Sequence, residues 1–259
     1  MAKTIPFWSA GVEGALSLTF DDNAPSQLAN ALPCLDDHGL QGTFYVNPGR
    51  RPDWERQIPR WQQAAARGHE IGNHTSRHPC SCNFGFHPTY CLEKLNLTDI
   101  ETTIDEAEAD LDQLFPQQKG KRSFCYPCYQ SYVGTGVERQ SYVPMVARRF
   151  RAARGGGERP NNPRIIDLSY TWAWAVEGHS AEQMIAYVDK AVGQGLWAII
   201  CMHGVGGDHL AIETKAMEGL ARHLEKNSAK IWTAPLIEVA DFILTRRQEL
   251  EDGAQNPGH

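Results

Sequence analysis

The chain reads as an α/β protein, a distorted (β/α) barrel of about seven to eight parallel strands in a single domain. Short apolar runs with β character alternate with longer helical patterns along most of its 259 residues, the signature of parallel strands joined by helical crossovers. About eight such runs can be picked out, which favours a closed sheet over an open one. No linker, composition shift or internal repeat divides the chain, so residues 1–259 read as one domain with a core over about 15–245.

The first strand is Ala15–Phe20, followed by a helical stretch from about Pro25 to His38. Gly42–Val46 is the second strand and Pro59–Arg67 the second helix, and His69–Ile71 is a short third strand. The clearest helix carries Leu97, Ile100, Ile104, Ala107, Leu111 and Leu114, whose alternating three- and four-residue spacings form one apolar stripe. Thr98 and Asp99 offer capping chemistry near its start. Further strands are expected at Ser123–Tyr126, Phe150–Ala153, Ile165–Leu168, Trp197–Met202 and Lys230–Thr233. Helices at about Ala181–Val192, Leu210–Lys226 and Leu236–Glu249 fill the later gaps. Two segments break the rhythm: an irregular Cys- and Phe-containing loop over 79–92, and the Gly/Pro-rich run 154–164.

Composition excludes several classes of function. Lys plus Arg number 25 against 31 Asp plus Glu, a net charge of −6, so a nucleic-acid or anionic-membrane surface, which needs a concentrated basic face, is not expected. No apolar run approaches the roughly 18–20 residues of a membrane span. The first residues do not read as a signal peptide, and the seven cysteines are an odd number in a long chain. A cytoplasmic protein without a disulfide framework is therefore expected, its oligomeric state left open.

Three features carry chemistry. Thr19-Phe20-Asp21-Asp22-Asn23 follows the first strand directly, and adjacent carboxylates at the carboxyl end of a barrel strand lie where such folds keep their active sites. Turn chemistry is the competing reading. The second feature is the run from Gly68 to Pro79. His74 and His78 are four residues apart, so one helical turn would put both imidazoles on one face, where with a carboxylate they could hold Zn²⁺ or a similar ion. The third is the apolar run Ile199–Met202 ending in His203, placed for acid or base work unless it is a satisfied core histidine. His87 and His209 read as solvated loop residues, and Gly204–Gly207 as a turn beside the site.

Together these residues resemble the polysaccharide deacetylase family, the NodB-homology domain or fourth carbohydrate esterase family. The resemblance rests on Thr19-Phe20-Asp21-Asp22, on His74-Thr-Ser-Arg-His78 and on the strand ending in His203, in the family's order. It implies a distorted barrel with fewer than eight full repeats. It further implies that Asp21 is the catalytic base, that Asp22, His74 and His78 ligate one divalent metal (zinc, or cobalt, nickel, manganese or iron), and that His203 is the general acid. The implied substrate is an acetylated saccharide, N- or O-linked. Oxyanion support would come from the backbone N–H after Pro127, and sugar contacts from Pro127, Tyr129, Trp172 and Trp174.

The chain departs from the family where the family writes Arg-x-Pro-x-Gly. Here the segment is Phe124-Cys125-Tyr126-Pro127-Cys128-Tyr129, with Cys125 in the place of the arginine that pairs with the catalytic aspartate. Asp21 then needs another cation, Arg77, Arg122 or one elsewhere. The support of His203 is equally open between Asp167 and Glu177, and Asp208 is a candidate for a further carboxylate in the pocket. Cys125 and Cys128 read as buried thiols filling the arginine's space, with a disulfide as the alternative. Two other functions compete with deacetylation: hydrolysis of a non-sugar linear or cyclic amide on the same barrel, and non-catalytic carbohydrate binding after loss of the arginine.

Overall fold

The computed structural model describes residues 6–255. In chain order its elements are β1 (Gly14–Asp21), α1 (Leu32–Asp37), β2 (Thr43–Val46), α2 (Trp54–Ala66), β3 (Glu70–Asn73), α3 (Leu97–Leu114), β4 (Phe124–Cys125), the hairpin strands β5 (Tyr132–Val133) and β6 (Gln140–Ser141), α4 (Val143–Arg149), β7 (Ala153–Arg154), β8 (Trp174–Ala175), α5 (Ala181–Val192), β9 (Trp197–Met202), α6 (Thr214–Lys226), β10 (Ile231–Thr233) and α7 (Leu236–Gln255).

The main sheet runs β7-β4-β3-β2-β1-β9-β8, with β10 paired to the first half of β1, and its pairings are parallel. Its two edges meet at a parallel bridge between Arg154 and Thr171, which curls the sheet into the expected distorted barrel. Alternation along β1 separates the layers. Leu16, Leu18 and Phe20 face the surrounding helices and join the outer core with Phe44, Trp61 and Leu220. Ala15 faces the interior, which Trp197, Ile199 and the start of α7 fill. Trp197 Nε1 donates to Ser17 Oγ at 3.1 Å, a partner the indole needs once buried. At the amino-terminal end of the barrel, buried Glu70 accepts from Ser123 N (2.6 Å), Thr43 Oγ1 (2.8 Å) and Ile237 N (3.1 Å), tying three elements together.

Several local expectations shift. The helical stretch after Asp21 contains one wide π turn, Gln27–Ala31. α2 begins at Trp54 and carries Pro59 inside it. The cap of α3 is Asn96, whose side chain accepts from Thr98 N and Asp99 N while Asp99 reciprocates, so Thr98 and Asp99 are first-turn residues. The expected strand Ile165–Leu168 does not form. Turns occupy that stretch, followed by a single 3₁₀ turn at Leu168–Tyr170 that Asp167 caps. Among the described residues no helix is long and apolar enough to cross a membrane.

The cysteine reading is overturned. Cys80 pairs with Cys128 and Cys82 with Cys91, whereas Cys125 and Cys201 remain buried thiols. The pairing escapes the sequence because Cys80 and Cys128 are 48 residues apart and meet only when β3 and β4 become neighbours.

Candidate active site

Strand ends and the turns after them converge on one cavity of about 1080 Å³, whose lining includes Asp21, Asp22, His74, His78, Tyr129, His203 and His209. The five residues implied for catalysis and metal binding are thus brought together. The means differs from the one expected for the histidines. Residues 74–78 form no helix; Thr75 (φ 64°) and His78 (φ 49°) are left-handed, and this turn sets the two rings 4.8 Å apart at 75°. Asp22 (φ 70°) and Asn23 (φ 40°) are left-handed as well. Non-glycine residues in this region are strained, and such strain concentrates at functional sites.

Amide side chains hold the strained turns. Asn73 Oδ1 accepts from Thr75 N at 2.8 Å, and Thr75 Oγ1 accepts from His78 N at 2.9 Å. Asn47 N donates to Asn23 Oδ1 at 3.1 Å, while Asn47 Nδ2 donates to the carbonyls of His74 (2.5 Å) and Thr75 (3.0 Å). Gln27, on the π turn, donates to the carbonyls of Asp21 (2.5 Å) and His203 (2.9 Å), locking the ends of β1 and β9 together.

The two carboxylates are held differently. Asp21 Oδ2 is crowded by the Arg154 guanidinium, by Cys201 Sγ at 3.5 Å and Cys125 Sγ at 3.7 Å, and by the Nε2 atoms of His74 and His203, each at 4.0 Å. Its Oδ1 is buried without a hydrogen-bond partner. Burial pushes this carboxyl up, but Arg154, then His74 and His203, outweigh it and hold Asp21 below the ordinary range. Asp22 Oδ2 accepts from His209 Nε2 at 2.9 Å. Its Oδ1 has no hydrogen-bond partner, though His78 Nε2 lies at 3.2 Å, Arg50 Nη1 at 3.5 Å and His74 Nε2 at 3.7 Å. Burial again raises Asp22, and the His209 bond with the neighbouring histidines overrides it, so the group is strongly depressed.

Each histidine has an orienting partner on its far nitrogen. His74 Nδ1 donates to the Cys125 carbonyl at 2.9 Å, which turns Nε2 toward Asp22. His78 Nδ1 lies 3.5 Å from Cys80 Sγ, a disulfide sulfur, which turns Nε2 toward Asp22 at 3.2 Å. Burial, ahead of every other influence, pushes His78 down to about 3, which keeps it neutral as a metal ligand must be. The donor atoms of Asp22, His74 and His78 all lie within 4.8 Å of one another. An orphaned buried carboxylate oxygen facing two imidazoles is a donor set suited to zinc or a similar divalent ion.

Arg154 answers the question left by Cys125. It is fully buried (0% exposed), and β4 and β7 pair with Cys125 directly opposite Arg154. Its Nη2 also lies 2.6 Å from Cys125 Sγ. The cation therefore comes from the next strand, one rung across the ladder. The other candidates are engaged elsewhere: Arg77 with Glu106 at 3.2 Å, and Arg122 with Asp112 at 2.6 Å and with Glu108.

The remaining expectations divide. Tyr129 lines the cavity, its ring lying where a Cβ on Gly156 would come within 2.7 Å, and its hydroxyl donates to Cys201 Sγ at 3.2 Å. Pro127, Trp172 and Trp174 are not among the lining residues. Trp174 turns outward onto Tyr187, with ring centroids 4.5 Å apart, and Trp172 packs over Gly157. Asp167 accepts from Ser169 N and Asp208 from Ser26 N at 2.7 Å. Of the two acids considered for His203, only Glu177 lines the cavity. His209 is exposed as expected and also bonds Asp22, which raises its pKa. Neither it nor Arg154 carries a spacing signal that sequence could offer.

A parallel barrel with a carboxylate pair and a histidine pair at the carboxyl ends of its strands defines a class of hydrolase-like sites. A sequence profile described as polysaccharide deacetylase matches residues 10–138, and the chain belongs to that family. A curated relative, a gellan lyase from Bacillus sp, is 26% identical over 185 residues, 69% of this chain; the match spans 6% of that relative's length. A family 4 acetyl xylan esterase from Clostridium thermocellum, solved with a cobalt ion, shares the fold at 22% identity and TM-score 0.53, over 87% of this chain and 89% of its own. A BA3943 mutant described as a pseudoenzyme of the same family aligns at 16% identity and TM-score 0.55, over 88% of this chain and 67% of its own.

Proposed function

We propose that this protein is a metal-dependent hydrolase that removes acetyl groups from a saccharide. The observation that carries the reading is the asymmetry at Asp21. One oxygen is clamped by Arg154 while the other is buried and unpartnered, beside His203 and the Asp22–His74–His78 set.

Asp22, His74 and His78 would hold the divalent ion, which would supply positive charge to polarise the acetyl carbonyl and stabilise the charge developing on its oxygen. Asp21, kept ionised by Arg154, takes a proton on Oδ1 from the attacking water. The carbon–nitrogen or carbon–oxygen bond then breaks, and His203 gives a proton to the departing amine or alcohol, releasing acetate. Burial, the leading influence, lowers the His203 pKa, and the Asp21 and Asp22 carboxylates offset part of that effect. The Cys128 N–H, next after Pro127 in a left-handed turn that lines the cavity, is the backbone donor assigned to the oxyanion.

A non-catalytic carbohydrate-binding relative is the reading that Cys125 would favour, and Arg154 weighs against it by supplying the charge that Cys125 lacks. The two disulfides favour an oxidising compartment over the cytoplasmic one. The test is metal content and acetate release from N- and O-acetylated saccharides, for wild type and for Asp21→Asn, His203→Ala and His74→Ala/His78→Ala. About one ion per wild-type chain and none in the histidine double variant is expected, with acetate release lost in every variant. Undiminished turnover by Asp21→Asn would remove the assigned base.

A further inference from the structure

The loop over 79–92, which the family pattern leaves unexplained, has a built tip. The Cys82–Cys91 disulfide closes it, and Cys80–Cys128 ties its base to the turn that carries Tyr129. Glu93 accepts from Cys82 N at 2.7 Å and from the Ser81 hydroxyl, whose oxygen in turn accepts from Asn83 N at 3.1 Å. Gly85 stands between two phenylalanines at φ +72°, a conformation that favours glycine. The rings of Phe84 and Phe86 thereby stack with centroids 5.3 Å apart and planes within 13° of each other.

These rings are 52% and 59% exposed, yet both line the cavity that holds Asp21 and His203. Two large apolar side chains exposed side by side on a cross-linked loop form the kind of patch that marks a binding surface. Leu210 and Pro52 continue the apolar rim, and Arg50, Arg51, Glu177, His179 and His209 add polar groups around the same opening. Flat apolar faces interleaved with hydrogen-bonding groups match a pyranose, whose ring presents C–H faces and a hydroxyl edge. The cavity, at about 1080 Å³, is at the upper end of what a drug-sized ligand fills and leaves room beyond a single sugar.

We propose that the Phe84–Phe86 pair is a stacking subsite for a sugar ring neighbouring the one whose acetyl group reaches Asp21 and His203. The inference rests on the deacetylase reading for its substrate, but the platform has its own readout in binding. Because the disulfides and Gly85 hold the rings in place beforehand, little ordering cost opposes stacking.

The test compares wild type with Phe84→Ala/Phe86→Ala, neither residue belonging to the catalytic or metal set. Calorimetric titration with chitooligosaccharides and acetylated xylooligosaccharides of one to five units is paired with kinetics on the same series and on a small aryl acetate. For wild type, affinity and kcat/KM are expected to rise with chain length. The double variant should lose about ten- to a hundred-fold on the longer chains, as two aromatic contacts would give, with aryl acetate turnover unchanged. A variant that keeps the chain-length dependence overturns the platform, and so does a variant that loses chains and aryl acetate equally. Wild type that binds neither series overturns it whatever its activity. Chain binding lost in the variant, with no acetate released by wild type, would uphold the platform and fail the deacetylase reading alone.

Discussion

Arg154 is the residue whose removal tests the most physics at once. Opposite charges roughly 4 Å apart attract by about 4 kcal/mol at an effective dielectric near 20, which holds the carboxylate ionised. Arg154→Met keeps much of the side-chain volume and deletes the charge, leaving Asp21 in a buried site with two histidine Nε2 atoms at 4.0 Å in place of a guanidinium. Breaking a buried pair in this way costs about 3–5 kcal/mol. The sign with pH follows from Asp21 lying below its ordinary range: the pair's stabilisation is fully present above the unfolded value near 3.9 and is lost as pH falls through the lower folded value. Urea unfolding at pH 7, 5, 4 and 3 should therefore show a large deficit for the variant at pH 7 that shrinks below about pH 4. The acid limb of acetate release should move to higher pH, since burial then acts on Asp21 without the guanidinium. A variant within about 1 kcal/mol of wild type at pH 7, or a deficit constant across the series, would refute the reasoning. Because Cys125 lies opposite Arg154 in the ladder, Cys125→Arg/Arg154→Cys returns the cation from the neighbouring strand and should recover much of both losses.

Three further outcomes follow from the same structure. Chelator-treated wild type should gain about 2.7 kcal/mol of stability when zinc or cobalt is restored to a hundredfold excess over its dissociation constant, and His74→Ala/His78→Ala should gain none, as read by thermal denaturation with and without the ion. Cys82→Ser/Cys91→Ser opens a loop with a separation of 9 residues, which chain entropy values at about 2.5 kcal/mol; chemical denaturation reads it, and an unchanged midpoint would mean the loop is held by its other bonds. His38 joins α1 to α6 through Glu225 at 2.7 Å and Glu218 at 3.3 Å, and the Glu225 hydrogen bond leads in raising its pKa. Its contribution is thus full below the ordinary histidine value near 6.5 and lost as pH rises through the folded one. His38→Gln should cost up to about 1 kcal/mol at pH 5.5 and nothing measurable at pH 8.5.

What the sequence made legible was local. β9 occupies the expected Trp197–Met202 span and α3 the expected Leu97–Leu114 span, because each is long and its apolar residues keep one period. Short elements with mixed burial were missed or displaced. β8 has 2 residues, too few for any period to emerge, and Ile165–Leu168 is apolar enough to suggest a strand yet lies where the chain turns after Asn162-Pro163. In the site, Asp21, Asp22, His74, His78 and His203 were readable from residue type and strand ends. Arg154 stood in plain sight at the head of a glycine run, but nothing local marks an arginine as buried. Only the pairing of β4 with β7 does so.

The division between legible and hidden follows the construction of the cavity. Its floor is built from strand ends, where hydrogen bonds in the ladder fix direction and a change of one residue would turn a side chain to the other face. Functional residues there are confined to few positions and announce themselves by order along the chain. Its rim is built from loops whose positions depend on cross-links and on amide hydrogen bonds spanning tens of residues, such as Ser81 N to Gln130 Oε1, 49 residues apart. The same contrast explains why a cysteine could replace the family's arginine. A charge needed at Asp21 can arrive from either of two adjacent strands, because parallel pairing brings both to within one side chain's reach, whereas the donor atoms of Asp22, His74 and His78, proposed to hold the ion, converge within 4.8 Å of one another and have no such alternative. Substitution of any one of those three should therefore resist rescue from a neighbouring strand, while the arginine can be moved.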